Sequence, residues 1–294
     1  GSEMCIRDSQ KWYNRLPPLF IQDSQPLSAE FGWSKEPTPF SERLNLDYKP
    51  IKEGEDWAKK WESAWFHIQG DVPLDWAGKS IAAVLDFSGE GLVFDSEGTA
   101  LQGITTGSIW DPNFARTRVS LIDSCAGGEI IELWVEAAAN SLFGVFTDPD
   151  PAQENPKRHG WFDAKVEKMQ VGIFDKELWH LYLDARILLG LVKRLDEKSV
   201  RQSRAIIALN NCVNAFGDDL QRVKQARECL KTELSKPAAA SDLKVSAIGH
   251  AHIDTGWLWP VRETVRKCAR TFATQLSIIA VSYTHLTLPT ILLV

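Results

Sequence analysis

Between about Ser63 and Phe146 the apolar positions come in short runs: SAWFHIQ, SIAAVLDF, GLVF, TRVSLI, EIIELWVEA and SLFGVF. Val, Ile, Phe and Trp dominate these runs, and DVPLDWAGK, SGEG, DSEG and DPN part them with Gly, Asp, Asn and Pro. Short strands broken by frequent turns predict an all-β sandwich. Past Asp148 the text changes. DPDPAQENPKRHG reads as a polar connector, and AKVEKMQVGIF reads as one returning strand. The period then lengthens to that of a helix. Asp175 suits the N-cap of KELWHLYLDARILLGLVKRL, in which Leu178, Tyr182, Ala185 and Leu189 form one stripe. Two more helices are expected over Lys198 to Phe216 and Asp218 to Leu234.

The flanks read differently. Gln10 to Pro50 is dotted with Pro17, Pro18, Pro26, Pro37, Pro39 and Pro50, which predicts an irregular lead-in. Trp57, Trp61 and Trp65 follow at i, i+4 and i+8, a spacing that puts them on one helical face unless the end of the run is already strand. Such a stripe is either core or an aromatic platform for sugars, and core is favoured because indoles bury large apolar areas. SKPAAASD, Ser235 to Asp242, is a linker of small residues. Beyond it LKVSAIGHAHID reads as an apolar strand, and PVRETVRKCARTFATQLSIIA reads as an amphipathic helix. Val261, Val265, Cys268, Phe272, Leu276 and Ile279 make the apolar face of that helix, and Pro260 fits its first turn. Strand, loop and helix make the first β/α unit of a larger α/β domain. The expected fold is therefore multidomain α+β. A lead-in over 10–62 precedes a β-sandwich over 63–174, a helical segment over 175–236 and the start of an α/β catalytic domain over 243–280.

Composition narrows the partners. A net charge of −6 without a basic tract speaks against nucleic acid. No apolar run approaches the ~20 residues of a membrane span, so no membrane is expected. The ends carry a separate signal. GSEMCIRDS (1–9) back-translates through ATGTGTATAAGAGACAG, whose reverse complement encodes the VSYTH that opens VSYTHLTLPT at Val281. Both strings resemble sequencing-library adapters, so 1–9 and 281–294 are expected to be adapter-derived tails around Gln10 to Ala280. Within those bounds Cys125, Cys212, Cys229 and Cys268 show no CxxC spacing. Reduced thiols and a cytoplasmic setting are the expectation.

The densest chemistry lies in AIGHAHIDTGWLWP, Ala247 to Pro260. In an extended strand His250, His252 and Asp254 project to one face and converge beyond the strand's C-terminal end. Sites form at that end in α/β folds. Imidazole and carboxylate suit Zn²⁺, which takes about three protein ligands at a catalytic site, so the cluster supplies part of one. The plainer alternative is polar residues at a strand end with Asp254 as a cap. The Asp at the next same-face position and the aromatic pair after Gly256 favour metal. Gly256 permits a turn and Trp257 offers a ring face to a sugar, whereas Trp259 reads as core. His180 and His159 have no second ligand at useful spacing and read as structural or solvent-facing. Arg262 and Glu263 are expected to open the helix and pair locally.

GHAHIDTGWLWPVRETVRKCARTF resembles the opening of the catalytic domain of the glycoside hydrolase family 38 α-mannosidases, in their cytosolic, vacuolar and bacterial branch. The preceding sandwich resembles the jelly-roll, galactose-binding-like domains attached to many glycoside hydrolases. The resemblance implies a β/α-barrel-like catalytic domain and one zinc ion held by His252 and Asp254, other divalent metals being compatible. It implies that His250 supports the ligands and that Trp257 stacks on mannose. It further implies a retaining hydrolase of α-mannoside oligosaccharides, with room for an oligomer in the intact protein. The family's nucleophile and acid/base match no position here, so this chain is expected to be inactive. An amidohydrolase-like metal enzyme, which also carries HxH at a strand end, and a non-enzymatic sugar-binding module remain the alternatives.

Overall fold

The computed structural model describes residues 2–106, 115–140, 164–197, 199–236, 252–257 and 259–286. Two compact units emerge: Gly1–Asp23 with Ile173–Lys244, and Ser24–Gly172 with Val245–Val294.

The first unit is helical: α1 (Ser2–Arg15), α2 (Lys176–Val192), α3 (Val200–Phe216) and α4 (Val223–Leu234). The Asp175 side chain caps α2 as expected, accepting from the Leu178 amide at 2.9 Å. Ser199 caps α3 in the same way, through the Gln202 amide at 3.1 Å. The α2 stripe is buried at Leu178, Leu181, Tyr182, Ala185, Leu188, Leu189 and Val192. Tyr13 of α1 stacks on Tyr182 with centroids 4.3 Å apart, and Trp12 meets Phe216 edge-on. Asp184 accepts from Arg227 Nε at 2.6 Å, which ties α2 to α4. Burial beside this cluster, with the charges of Cys229 and Asp184, pushes the Cys212 thiol up to about 12. All five cysteines are free. His180 lies half-buried in α2, whereas His159 falls outside the described residues. The helix α1 takes in the first nine residues apart from Gly1.

The second unit is built on two sheets. One has the order β1-β10-β5-β8, from β1 (Ile21–Pro26), β5 (Ile81–Asp86), β8 (Arg118–Ile122) and β10 (Lys168–Phe174). The other has the order β3-β2-β4-β9-β6-β7. Its strands are β2 (Ser28–Ser34), β3 (Tyr48–Ile51), β4 (Ser63–Asp71), β6 (Glu90–Phe94), β7 (Ala100–Thr105) and β9 (Ile130–Ala138). Neighbours in this second sheet pair antiparallel, with Phe66 opposite Phe31 on one side and Val135 on the other. Phe66 is fully buried, 4.3 Å from Phe87 and 5.6 Å from Trp57 between ring centroids.

The predicted strands appear at SAWFHIQ, SIAAVLDF, GLVF, TRVSLI and EIIELWVEA, whereas SLFGVF lies outside the described residues. The lead-in is a correction. β1, β2 and β3 all form within it, so the sandwich begins well before Ser63. The prolines do not bar strands there: Pro26 ends β1 and Pro50 lies inside β3, while β2, SAEFGWS, pairs along its whole length with Ser63–Gln69 of β4. The helical placing of Trp57, Trp61 and Trp65 is a second correction. Trp57 is core and donates from Nε1 to the Phe87 carbonyl at 2.8 Å. Trp65 is core within β4, and Trp61 sits in a turn at φ 70°.

The helix α5 (Val261–Leu286) also belongs to this unit and packs on β7 and β6. Its orientation reverses the expected one. The apolar stripe Val261, Val265, Phe272, Leu276 and Ile279 is exposed, and the inward face carries Glu263, Arg266, Lys267, Arg270 and Thr274. The reason lies on the sheet, where Glu90 of β6 and Glu136 of β9 are buried. Glu90 Oε2 accepts from Lys267 Nζ at 2.7 Å, Arg270 Nη2 at 3.1 Å and Asn140 Nδ2 at 2.8 Å. Arg266 Nε lies 2.8 Å from Glu136, and the same guanidinium donates to Glu263, Ser63 and the Ala137 carbonyl. Three buried carboxylates thus face three buried cations. The helix can approach because β7 has Gly103, where a Cβ would stand 2.9 Å from the Arg270 carbonyl oxygen. The Gly103 amide donates to Thr274 Oγ1 at 3.0 Å. The strand expected before this helix lies largely in 237–251, outside the described residues.

Candidate functional site

The site is assembled on the N-terminal approach to α5. Thr264, in the first turn of the helix, accepts at Oγ1 from the Gly256 amide at 3.1 Å and from Trp259 Nε1 at 3.2 Å. One hydroxyl therefore fixes both the turn and the buried indole. Gly256 adopts φ 65°, a left-handed conformation that glycine enters without a Cβ penalty. Trp259 is buried as expected, and Lys267 Nζ sits 4.5 Å from its ring centroid. That ammonium also meets Glu90, so the Lys267 side chain links the sandwich to the motif. Burial lowers the Lys267 pKa despite the Glu90 carboxylate beside it.

Of the expected site residues, three are described. His252 Nε2 and Asp254 Oδ1 lie 3.0 Å apart, with side chains 72% and 45% exposed. Residues 252–254 are not in a strand, so strand alternation does not bring the pair together. His250 falls outside the described residues. Trp257 is 54% exposed and meets Trp259 edge-on, with centroids 5.3 Å apart.

An imidazole nitrogen and a carboxylate oxygen lying side by side fit two ligand positions of a zinc ion. Among the described residues no group of three or more His, Cys, Asp or Glu is placed to hold a metal. The pair fits part of a site.

Trp61, Trp257, Trp259, Pro260 and Arg262 line an open cleft of about 470 Å³. Arg262 is a further correction: it pairs with Glu36 Oε2 at 2.7 Å, far off in sequence, and not within its own helix. Glu263 does pair within α5, with Arg266 and Arg270. Trp61 and Glu36 were not singled out beside the motif. Trp61 shared a four-residue spacing with two core tryptophans, and nothing in KEPTPF marks Glu36 as a neighbour of α5.

The described chain thus combines a jelly-roll-like sandwich and several helices with a His-Asp-Gly-Trp motif at the edge of the sandwich. Two family models match, "Alpha-mannosidase, jelly roll domain" over residues 25–169 and "Glycosyl hydrolases family 38 N-terminal domain" over residues 242–283. Alpha-mannosidase G of Dictyostelium discoideum is 31% identical over 266 residues, which are 90% of this chain and 24% of that protein. Alpha-mannosidase 2C1 of Homo sapiens is 28% identical over 90% of this chain and 26% of its own length. An alpha-mannosidase of Saccharomyces cerevisiae is 26% identical, with 90% and 24% covered. Among solved structures a β-glucuronidase from Ruminococcus gnavus aligns over 52% of this chain and 30% of its own. Its TM-score of 0.35 and 10% identity are too slight to carry any argument. The chain belongs to the glycoside hydrolase family 38 α-mannosidases, in the branch of 2C1 and the yeast protein, and covers their N-terminal region. It spans about a quarter of the length of these relatives.

Proposed function

We propose that this chain is the N-terminal part of a zinc-dependent retaining α-mannosidase that removes terminal α-linked mannose from oligosaccharides. The observation that carries the reading is the motif itself: His252 and Asp254 side by side, before an exposed Trp257, within the stretch matched by the family 38 model. His252 and Asp254 would hold the metal, with His250 supporting them. A zinc ion held there would supply a Lewis acid for the sugar's hydroxyls. Trp257 would stack on the pyranose, next to the Gly256 turn that Thr264 Oγ1 pins through the Gly256 amide. A retaining glycosidase also needs a carboxylate nucleophile and an acid/base. No residue of this chain is proposed for either. Glu263 is taken up by Arg266 and Arg270 in a buried cluster. A reducing, cytoplasmic setting is supported by the five unpaired cysteines.

Two measurements test this reading. The isolated chain should not turn over an aryl α-mannoside, because the nucleophile is missing. It should bind zinc weakly, since two ligands do not close a site, and His252→Ala with Asp254→Ala should abolish the binding. Calorimetric zinc affinity in the nanomolar range, or heat unchanged by both substitutions, would sink the assignment of this pair.

A further inference from the structure

The geometry points to Trp61 as a sugar-binding residue contributed by the sandwich, forming with Trp257 an aromatic cleft for a pyranose of an α-mannoside. This inference rests on the mannosidase reading for the identity of the sugar. The cleft itself rests on the structure.

Three observations converge. The first is conformational. Trp61 holds φ 70°, a region that bulky residues seldom enter and that persists only where surrounding contacts enforce it. The enforcing contacts are present. The Trp61 amide donates to the Ala139 carbonyl at 2.9 Å, and the Ala139 amide returns a bond to Glu62 O at 3.0 Å. The Glu62 carboxylate accepts from the Lys59 amide at 2.7 Å and from Trp33 Nε1 at 2.9 Å. The turn is anchored from both sides, so the backbone that carries the indole is held in place.

The second observation is contrast with its neighbours. Trp57 and Trp65 are buried and satisfied, with their Nε1 atoms on the carbonyls of Phe87 and Thr38. Trp61 is half-buried and lines the open cleft with Trp257, Trp259, Pro260 and Arg262. The third is the chemistry of the lining. Indole faces stack on the C–H surface of a pyranose, and Arg262, paired with Glu36, sets donors and an acceptor beside them. At about 470 Å³ the cleft has the size of a small-ligand site, typically ~300–1,000 Å³.

The test is ligand-observed saturation-transfer NMR on the full 294-residue chain. The probes are methyl α-D-mannopyranoside, an α-linked mannobiose and methyl α-D-glucopyranoside. Trp61→Gly removes the indole and suits the positive φ, so its thermal midpoint should equal or exceed that of the parent. It should bind the mannosides about tenfold more weakly, the loss of one good aromatic contact. Trp61→Tyr should keep most of the affinity. Should Trp61→Gly bind as the parent does while Trp257→Ala loses the sugar, Trp61 is no part of the cleft and the mannoside reading stands. If the glucoside binds as well as the mannosides, and Trp61→Gly weakens both, the cleft stands and the mannose assignment falls. Absence of any transfer to the parent chain at millimolar sugar overturns the inference outright.

Discussion

At the scale of single residues, the site depends on backbone freedom as much as on functional groups. Gly256 stands at φ 65°, and a Cβ there would meet only Val261 Cγ2 at an ordinary 3.5 Å. Space is available, so the cost of Gly256→Ala is one of backbone conformation, about 1–2 kcal/mol for a left-handed residue. The prediction is a stability loss of that size by urea unfolding, with the Gly256–Thr264 hydrogen bond weakened and zinc heat reduced. A neutral substitution would show that the turn does not constrain the motif. The motif residues were legible in sequence because His-x-His-x-Asp and Gly-Trp are rare and chemically specific. Trp61 was not, because three tryptophans four apart satisfy a helical stripe equally well. The strand read from Ser63 already competed with the stripe at Trp65, and the pairing of β4 with its neighbours, which starts at Ser63, decides between them.

At the scale of elements, α5 shows where periodicity stops being informative. The helix and its two faces were legible; the choice of inward face was not. An apolar stripe normally marks the core side, but here the sheet presents Glu90 and Glu136, and burying them requires cations opposite. Glu136 stood within the largely apolar run EIIELWVEA, the one trace of this in the sequence, whereas Glu90 sat in the turn-like SGEG. Burial alone would raise the Glu90 pKa, yet Arg270 and Lys267 hold the carboxyl below the usual carboxylate range. The sign follows from linkage. A depressed carboxylate contributes stability that is complete above its unfolded value of ~4.3 and is lost as pH falls through the lower folded value. Amide exchange in α5 should therefore accelerate on acidification below the ordinary carboxylate range. Glu90→Gln should remove this acid step and destabilise the packing by roughly 3–5 kcal/mol at neutral pH, because Lys267 and Arg270 stay buried and charged after losing the carboxylate they share. An α5 exchange profile unaltered by the substitution would show that the cluster does not hold the helix.

For the whole molecule, the order of sandwich, helices and motif was legible because each has its own period and punctuation. Which segments complete each sheet was not, because strand partners are chosen by long-range pairing. The lead-in shows this: β3 and β2 extend the sheet beyond β4, and their sequences carry Pro, Gly and charged residues that weaken any local signal. The same long-range logic leaves Val265, Phe272 and Leu276 on the surface, at 68%, 59% and 68% exposure. Among the described residues no helix is long and apolar enough to cross a membrane, so this stripe is not explained as a span. Its consequence for stability is definite. Replacing Val265, Phe272 and Leu276 together by Gln removes no buried contact of this chain, and exposed substitutions usually stay within about 0.5 kcal/mol each. The triple variant should unfold within a few degrees of the parent and bind less of an apolar dye. Ala273 and Thr274 face the sheet, and Thr274 receives the Gly103 amide. Thr274→Val should therefore cost about 1 kcal/mol or more by leaving that buried amide without its acceptor. A collapse of the triple variant with Thr274→Val unaffected would mean that α5 sits on the sheet by its apolar stripe, the reverse of the arrangement described.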